Sequence, residues 1–230
     1  MNKIIFPYFL LLFLILTFLP ISKVSASGPI KILLVPGHDD PVWGAQYKTI
    51  KESDMNLALA IKIFNLLKLD KRFEVHITRE WGGYTKEFSD YFTKEADAIV
   101  AFKENAKSKT LTDISSGDFM QRENVPHNNA SETVANTLYG INRWANENQM
   151  DAIIHIHFND YPRNNAWKSG IYKGFVVYMP EAQMANAEGS QDLAMKIYKE
   201  MHKSFAVSTY PKEAGGIVPD QSLIALGSNG

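Results

Sequence analysis

Apolar residues occur along this chain in two rhythms, short unbroken runs and longer spaced series, and the two predict strands and helices respectively. The run IKILLVP, residues 30–36, is apolar at nearly every position and stops at Pro-Gly, as expected of a strand buried on both faces. The following GHDDPVWGAQYKTIKES is rich in Gly, Pro and Asp and reads as loop. In DMNLALAIKIFNLLKLDK the apolar residues Leu57, Ile61, Phe64 and Leu67 recur at helical spacing, with Ser53 or Asp54 as N-cap. FEVHITR, residues 73–79, alternates and predicts a second strand. Strand, helix and strand of these lengths predict a right-handed βαβ unit, and so an α/β domain.

The pattern weakens over residues 80–130. YTKEFSDYFTKEADAIVAFKENAK is expected to be helical, whereas TLTDISSGDFMQRENVPHNN is polar and poorly periodic, long enough to be either a lid over a site or an ordinary surface excursion. From Ser131 the periodicity returns. SETVANTLYGINRWANENQ predicts an amphipathic helix, DAIIHIHFN a third strand and KGFVVYMP a fourth. GSQDLAMKIYKEMHKSFA predicts a helix capped at Ser190, and QSLIALGSNG a strand running to the end of the chain.

The first 26 residues stand apart. A lysine, an apolar run over residues 4–21 and the small residues Val24, Ser25 and Ala26 have the layout of a secretory signal peptide cut after Ala26. The run is also close to the length that spans a bilayer, so an uncleaved anchor is the alternative. Either way residues 29–230 are expected to lie outside the cytoplasmic membrane, secreted or in the cell envelope. A membrane is a partner only if the leader is retained. Without Lys3 and Lys23 the exported part carries 22 basic and 25 acidic side chains, a balance that calls for no nucleic-acid partner. The absence of cysteine excludes disulfides and thiolate metal sites, which leaves His and carboxylates as the ligands for any metal.

Three stretches carry such ligands: VPGHDD with His38 just past the first strand, IKESDMN with Glu52 at the head of the first helix, and IHFND with His157 near the end of the third strand. In a mostly parallel α/β sheet, C-terminal strand ends and the helix starts that follow them line one crevice, so the three side chains can converge. Two imidazoles and a carboxylate are a common protein set for a catalytic zinc. Each residue also has a plain structural reading: a turn residue after Pro-Gly, a helix N-terminal charge favoured by the macrodipole, a satisfied histidine in a core strand. Spacing by itself does not decide between them.

The same stretches resemble the zinc-dependent N-acetylmuramoyl-L-alanine amidases of the amidase type 3 class. ILLVPGHDDPVWGA is similar to the family's opening strand and Pro-Gly-His turn, KESDMNLALA to its glutamate-led helix, and VHITR to its strand ending in Thr-Arg, here Thr78 and Arg79. NRWANENQMDAIIHIHFN resembles the progression Ala-Asn, Ala-Asp, Ser-Ile-His-Ala-Asn, and KGFVVYMP and SQDLAMKI resemble the strand and helix that follow. The resemblance implies a single three-layer domain with a twisted, mostly parallel central sheet flanked by helices. It implies His38, Glu52 and His157 as zinc ligands, peptidoglycan as substrate, and cleavage of the amide between N-acetylmuramic acid and the L-alanine of the stem peptide by activated water. His155 falls where the family often has serine. It is expected either to orient a ligand through a hydrogen bond from behind or simply to pack. His76, His127 and His202 fall outside the pattern.

The chain also departs from the family. Asp39 and Asp40 stand where the loop commonly has two glycines, and Ile141 stands where an arginine is usual, with Arg143 two residues later. The family's last strand ends in a glutamate that acts as general base, and no counterpart is present before Gly230. Glu213, in YPKEAGGIVP, precedes the wrong strand to serve. The expectation is a chain that continues past residue 230. The alternative is a wall-binding relative that keeps the fold without catalysis.

Overall fold

The computed structural model of the chain describes residues 28–122, 130–159, 165 and 167–227. The expected leader and His127 lie outside them. Strand β1 (Ile30–Pro36) is followed by a small antiparallel hairpin, β2 (Gln46–Tyr47) and β3 (Ile50–Lys51), which feeds directly into helix α1 (Glu52–Leu67). Strand β4 (Phe73–Ile77) and a second short hairpin, β5 (Arg79–Glu80) with β6 (Gly83–Tyr84), precede helices α2 (Lys86–Lys94), α3 (Ala96–Ser116) and α4 (Glu132–Glu147). Then come β7 (Ala152–Ile156), β8 (Val177–Pro180), α5 (Ala187–Met201), β9 (Ile217–Asp220) and the short α6 (Ile224–Gly227).

The central sheet has the order β4-β1-β7 and is parallel throughout, with Ile32 beside Val75 on one side and Ala152 on the other. β1 is central because its side chains are apolar on both faces. Leu33 and Val35 join Phe88, Ile141, Trp144 and Ala145 in a buried cluster on the side of α2 and α4. Leu34, fully buried, alternates to the opposite face, where α1 packs on β1 and β4 and buries Leu57 and Ala60. This is the mixed α/β architecture with a mostly parallel sheet between helices.

Several boundaries differ from the sequence expectation. Helix α1 starts at Glu52, and neither Ser53 nor Asp54 caps it. The Glu52 and Ser53 amides donate instead to the carbonyls of Ala45 and Trp43, so the preceding loop does the work of a capping side chain. The first part of the polar segment, residues 110–116, is helix: the hydroxyls of Thr110 and Thr112 donate to carbonyls four residues back, which satisfies them without leaving the helix. The helix ends at Gly117, whose φ of 83° is one that side-chain-bearing residues avoid. α5 begins at Ala187 after Asn186, three residues before the expected cap Ser190.

The fourth strand, β8, pairs in parallel with β9 and not with β7. β9 lies upstream of the stretch expected to form the last strand, which instead turns into α6. The Asp220 carboxylate accepts the Ser222 and Leu223 amides and bends the chain out of the strand, and Ile224 is buried against Ile99, Ala135 and Tyr139.

Candidate metal centre

His38, Glu52 and His157 come from the turn after β1, the first residue of α1 and the residue after β7. The parallel register brings them together: Pro36 lies beside Ile156 and the Gly37 amide donates to the Ile156 carbonyl at 2.9 Å, so the two histidines leave adjacent strand ends side by side. Their rings stand edge to face with centroids 5.1 Å apart. The Glu52 carboxylate lies between them. One oxygen is 3.1 Å from His157 Nδ1 and the other 3.3 Å from His38 Nε2. One ligand atom from each residue lies within 4.8 Å of the other two, a spacing that could hold a metal ion.

The backbone completes the cradle. The Ala45 amide donates to one Glu52 oxygen at 2.9 Å and the Phe158 amide to the other at 3.2 Å. The carbonyl of Gly37 accepts from the buried Asn56 side chain at 2.8 Å, and that of His38 from the buried Arg79 guanidinium. Two glycines make room. A Cβ on Gly37 would sit 2.1 Å from the His157 ring, and one on Gly44 would sit 2.5 Å from His38 and 2.6 Å from the Glu52 carboxylate. Asp39, one of the two departures in the loop, closes it by accepting the Val42 amide at 2.8 Å, while Asp40 is exposed and faces Arg79 at 3.8 Å.

Burial pushes the Glu52 carboxyl upward, but hydrogen bonds with His157, His38 and the Ala45 amide outweigh it and hold the group well below the usual carboxylate range. The hydrogen bond to Glu52 raises His38 against the opposing effect of burial. The signs set two pH effects on the metal-free protein. Glu52, depressed, contributes stability that is present above its ordinary value of 4.5 and lost as pH falls through the lowered one. His38, raised, contributes stability that is full below 6.5 and lost as pH rises through the raised value. A metal takes the neutral ring, so metal affinity is expected to climb over that same upper interval. Thermal unfolding from about pH 5.5 to about 8.5 checks this: the chelated protein should lose stability as pH rises, and the stabilisation added by metal should grow.

The remaining candidates separate from this group. Burial, with His157 nearby, pushes His155 down to about 3, and its Nε2 is buried without a hydrogen-bond partner among the described residues, so that nitrogen makes no hydrogen bond to His38, Glu52 or His157. His76 sits between Glu74 and Glu87 against Trp144, and His202 stacks on Tyr198. Ile141 is core, and Arg143 is taken by Glu95 and Glu147. Glu213 is held by the hydroxyls of Tyr178 and Ser208. Sequence reasoning assigned no role to Gly37, Asn56 or Arg79. The signal for Arg79 was an arginine at the end of an apolar strand, a residue rarely buried without a purpose.

A family model for N-acetylmuramoyl-L-alanine amidase, amidase type 3, matches residues 32–221. The chain belongs to this amidase family. The matched span contains His38, Glu52 and His157. Among solved structures, the chain is similar to an N-acetylmuramoyl-L-alanine amidase from Clostridium difficile 630, at 17% identity over 89% of this chain and 76% of that one, with a TM-score of 0.48. It is also similar to the CwlD amidase from Clostridioides difficile, solved in complex with the GerS lipoprotein, at 16% identity over 87% and 77% of the two chains, with a TM-score of 0.45. No curated protein matches the chain by sequence.

Proposed function

We propose that this chain is an exported peptidoglycan hydrolase that cleaves the amide between the lactyl group of N-acetylmuramic acid and the L-alanine of the stem peptide, with His38, Glu52 and His157 holding zinc. The observation that carries the reading is the convergence of these three side chains inside an amidase-family chain. The donor set fits: two imidazoles and one carboxylate suit zinc and leave a position for water or a substrate oxygen. Zinc bound there would lower the pKa of water and polarise the scissile carbonyl.

The protein's own groups prepare that chemistry. The Ala45 and Phe158 amides each hold one oxygen of the Glu52 carboxylate, and the hydrogen bonds with His157, His38 and the Ala45 amide keep it ionised at neutral pH against its burial. Glu52 is buried at 3% side-chain exposure while His157 retains 37%, so the group is anchored beneath and open to a large substrate above. Glu213, committed to Tyr178 and Ser208, has no proton-transfer role in this reading.

Peptidoglycan lies outside the cytoplasm, which agrees with reading residues 1–26 as an export signal. Among the described residues no helix is long and apolar enough to cross a membrane.

The test is incubation of the full-length protein, including whatever residues its gene encodes past Gly230, with zinc and isolated peptidoglycan. Stem peptides with a free L-alanine amino terminus should be released, and about one zinc per chain should be retained. Sedimentation with peptidoglycan without release would favour the wall-binding alternative. Folded protein that takes up no zinc would defeat the hydrolase reading.

A further inference from the structure

Arg79 is buried to 2% exposure, a setting in which a cation is costly unless its donors are used well. Its ion pair is a long one, 3.8 Å to the exposed Asp40, and its Nε is buried without a partner among the described residues. What the guanidinium does engage is the carbonyl of His38, 41 residues earlier in the chain. That peptide needs holding. His38 has φ 63°, in the left-handed region that side-chain-bearing residues seldom occupy. The preceding carbonyl, of Gly37, is clamped separately by Asn56.

We infer that Arg79 is a positioning residue: its guanidinium holds the left-handed His38 peptide and so keeps the imidazole facing Glu52 whether or not a metal is bound. It acts on the ligand turn through the backbone, and this role rests on the reading of His38 as a ligand. Lysine keeps the charge but offers a single ammonium in place of the planar fork, so it should restore the clamp only in part.

The experiment compares Arg79→Gln and Arg79→Lys with Ile141→Val, a core change on the α2 and α4 side of the sheet, opposite the face on which α1 packs. Zinc affinity is measured by competition with a chromogenic chelator, stability by thermal unfolding, and the His38 and His157 ring signals by NMR of the metal-free protein. Arg79→Gln should bind zinc about 10- to 100-fold more weakly. Its His38 signals should move further than those of His157, whose ring stays tied to Glu52 and senses the change through the neighbouring imidazole. Arg79→Lys should fall between Arg79→Gln and the unaltered protein, and Ile141→Val should lower stability without changing zinc affinity. Unchanged affinity and unchanged His38 signals in folded Arg79→Gln would overturn the inference. So would unfolding of both Arg79 variants, which would make the residue a support of the whole fold. If the unaltered protein binds no zinc, the hydrolase reading fails, and the His38 signals of metal-free Arg79→Gln still decide the clamp.

Discussion

A single methyl group on Gly37 is expected to disable the metal site and leave the fold standing. The Gly37 amide continues the β1–β7 ladder by donating to Ile156, and its φ is one that alanine adopts, so the backbone has no reason to move. The obstruction is the new Cβ, which would lie 2.1 Å from Cε1, 2.3 Å from Nε2 and 2.6 Å from Nδ1 of His157. The imidazole must swing away, and it can, because it is the far end of a partly exposed side chain, at the cost of its hydrogen bond to Glu52. Gly37→Ala should therefore lower zinc affinity and turnover by about 100-fold or more, while the metal-free protein stays within about 1 kcal/mol of its original stability. Zinc titration, a stem-peptide release assay and urea unfolding of chelated protein check the three parts. Full zinc occupancy and full activity in this variant would mean that the ring does not sit over Gly37. Gly44→Ala is a less clean probe, because its φ of 73° adds backbone strain to the collision with His38 and Glu52.

Removing the His157 ring altogether should have the larger effect. His157→Ala deletes one of the three converging side chains and the hydrogen bond to Glu52 at 3.1 Å. Zinc should fall below detection after dialysis, and turnover should drop by about 1,000-fold or more, since the ligands act as a unit. The metal-free protein should suffer little, because the Phe158 and Ala45 amides still satisfy the buried carboxylate, and loss of one hydrogen bond costs about 1 kcal/mol. What disappears is the stability conferred by the ion, about 4 kcal/mol when metal stands 1,000-fold above its dissociation constant. Thermal unfolding with and without zinc measures this directly: the unaltered protein should gain stability on zinc addition and the variant should not. An equal gain in both would exclude His157 as a ligand.

These two substitutions also separate what local pattern could reveal from what it could not. His38, Glu52 and His157 were nameable in advance because each stands at a punctuation point, a Pro-Gly turn, a helix head or a strand end, in motifs resembling those of the amidases. β1, β4, β7 and α4 were equally legible, since a buried strand or a helix with one apolar face repeats its signal over many residues. The capping of α1 was not, because its first amides, those of Glu52 and Ser53, are taken by the carbonyls of Ala45 and Trp43 and no Ser or Asp side chain caps it. Nor was β9: four residues including a proline carry little pattern, and the strand exists through its pairing with β8 about 40 residues earlier.

The order of residues by itself determined the α/β class and the parallel core strand, since periodicity is a property of neighbours along the chain, and the three converging side chains were named through the resemblance of their motifs to those of the amidases. Only the tertiary structure decided that β8 leaves the central sheet for β9, that Gly37 and Gly44 are the floor beneath two imidazoles and a carboxylate, and that Arg79, the first residue of β5, holds the turn bearing His38. Those outcomes depend on contacts between segments tens of residues apart, where distance in space has no counterpart in sequence spacing.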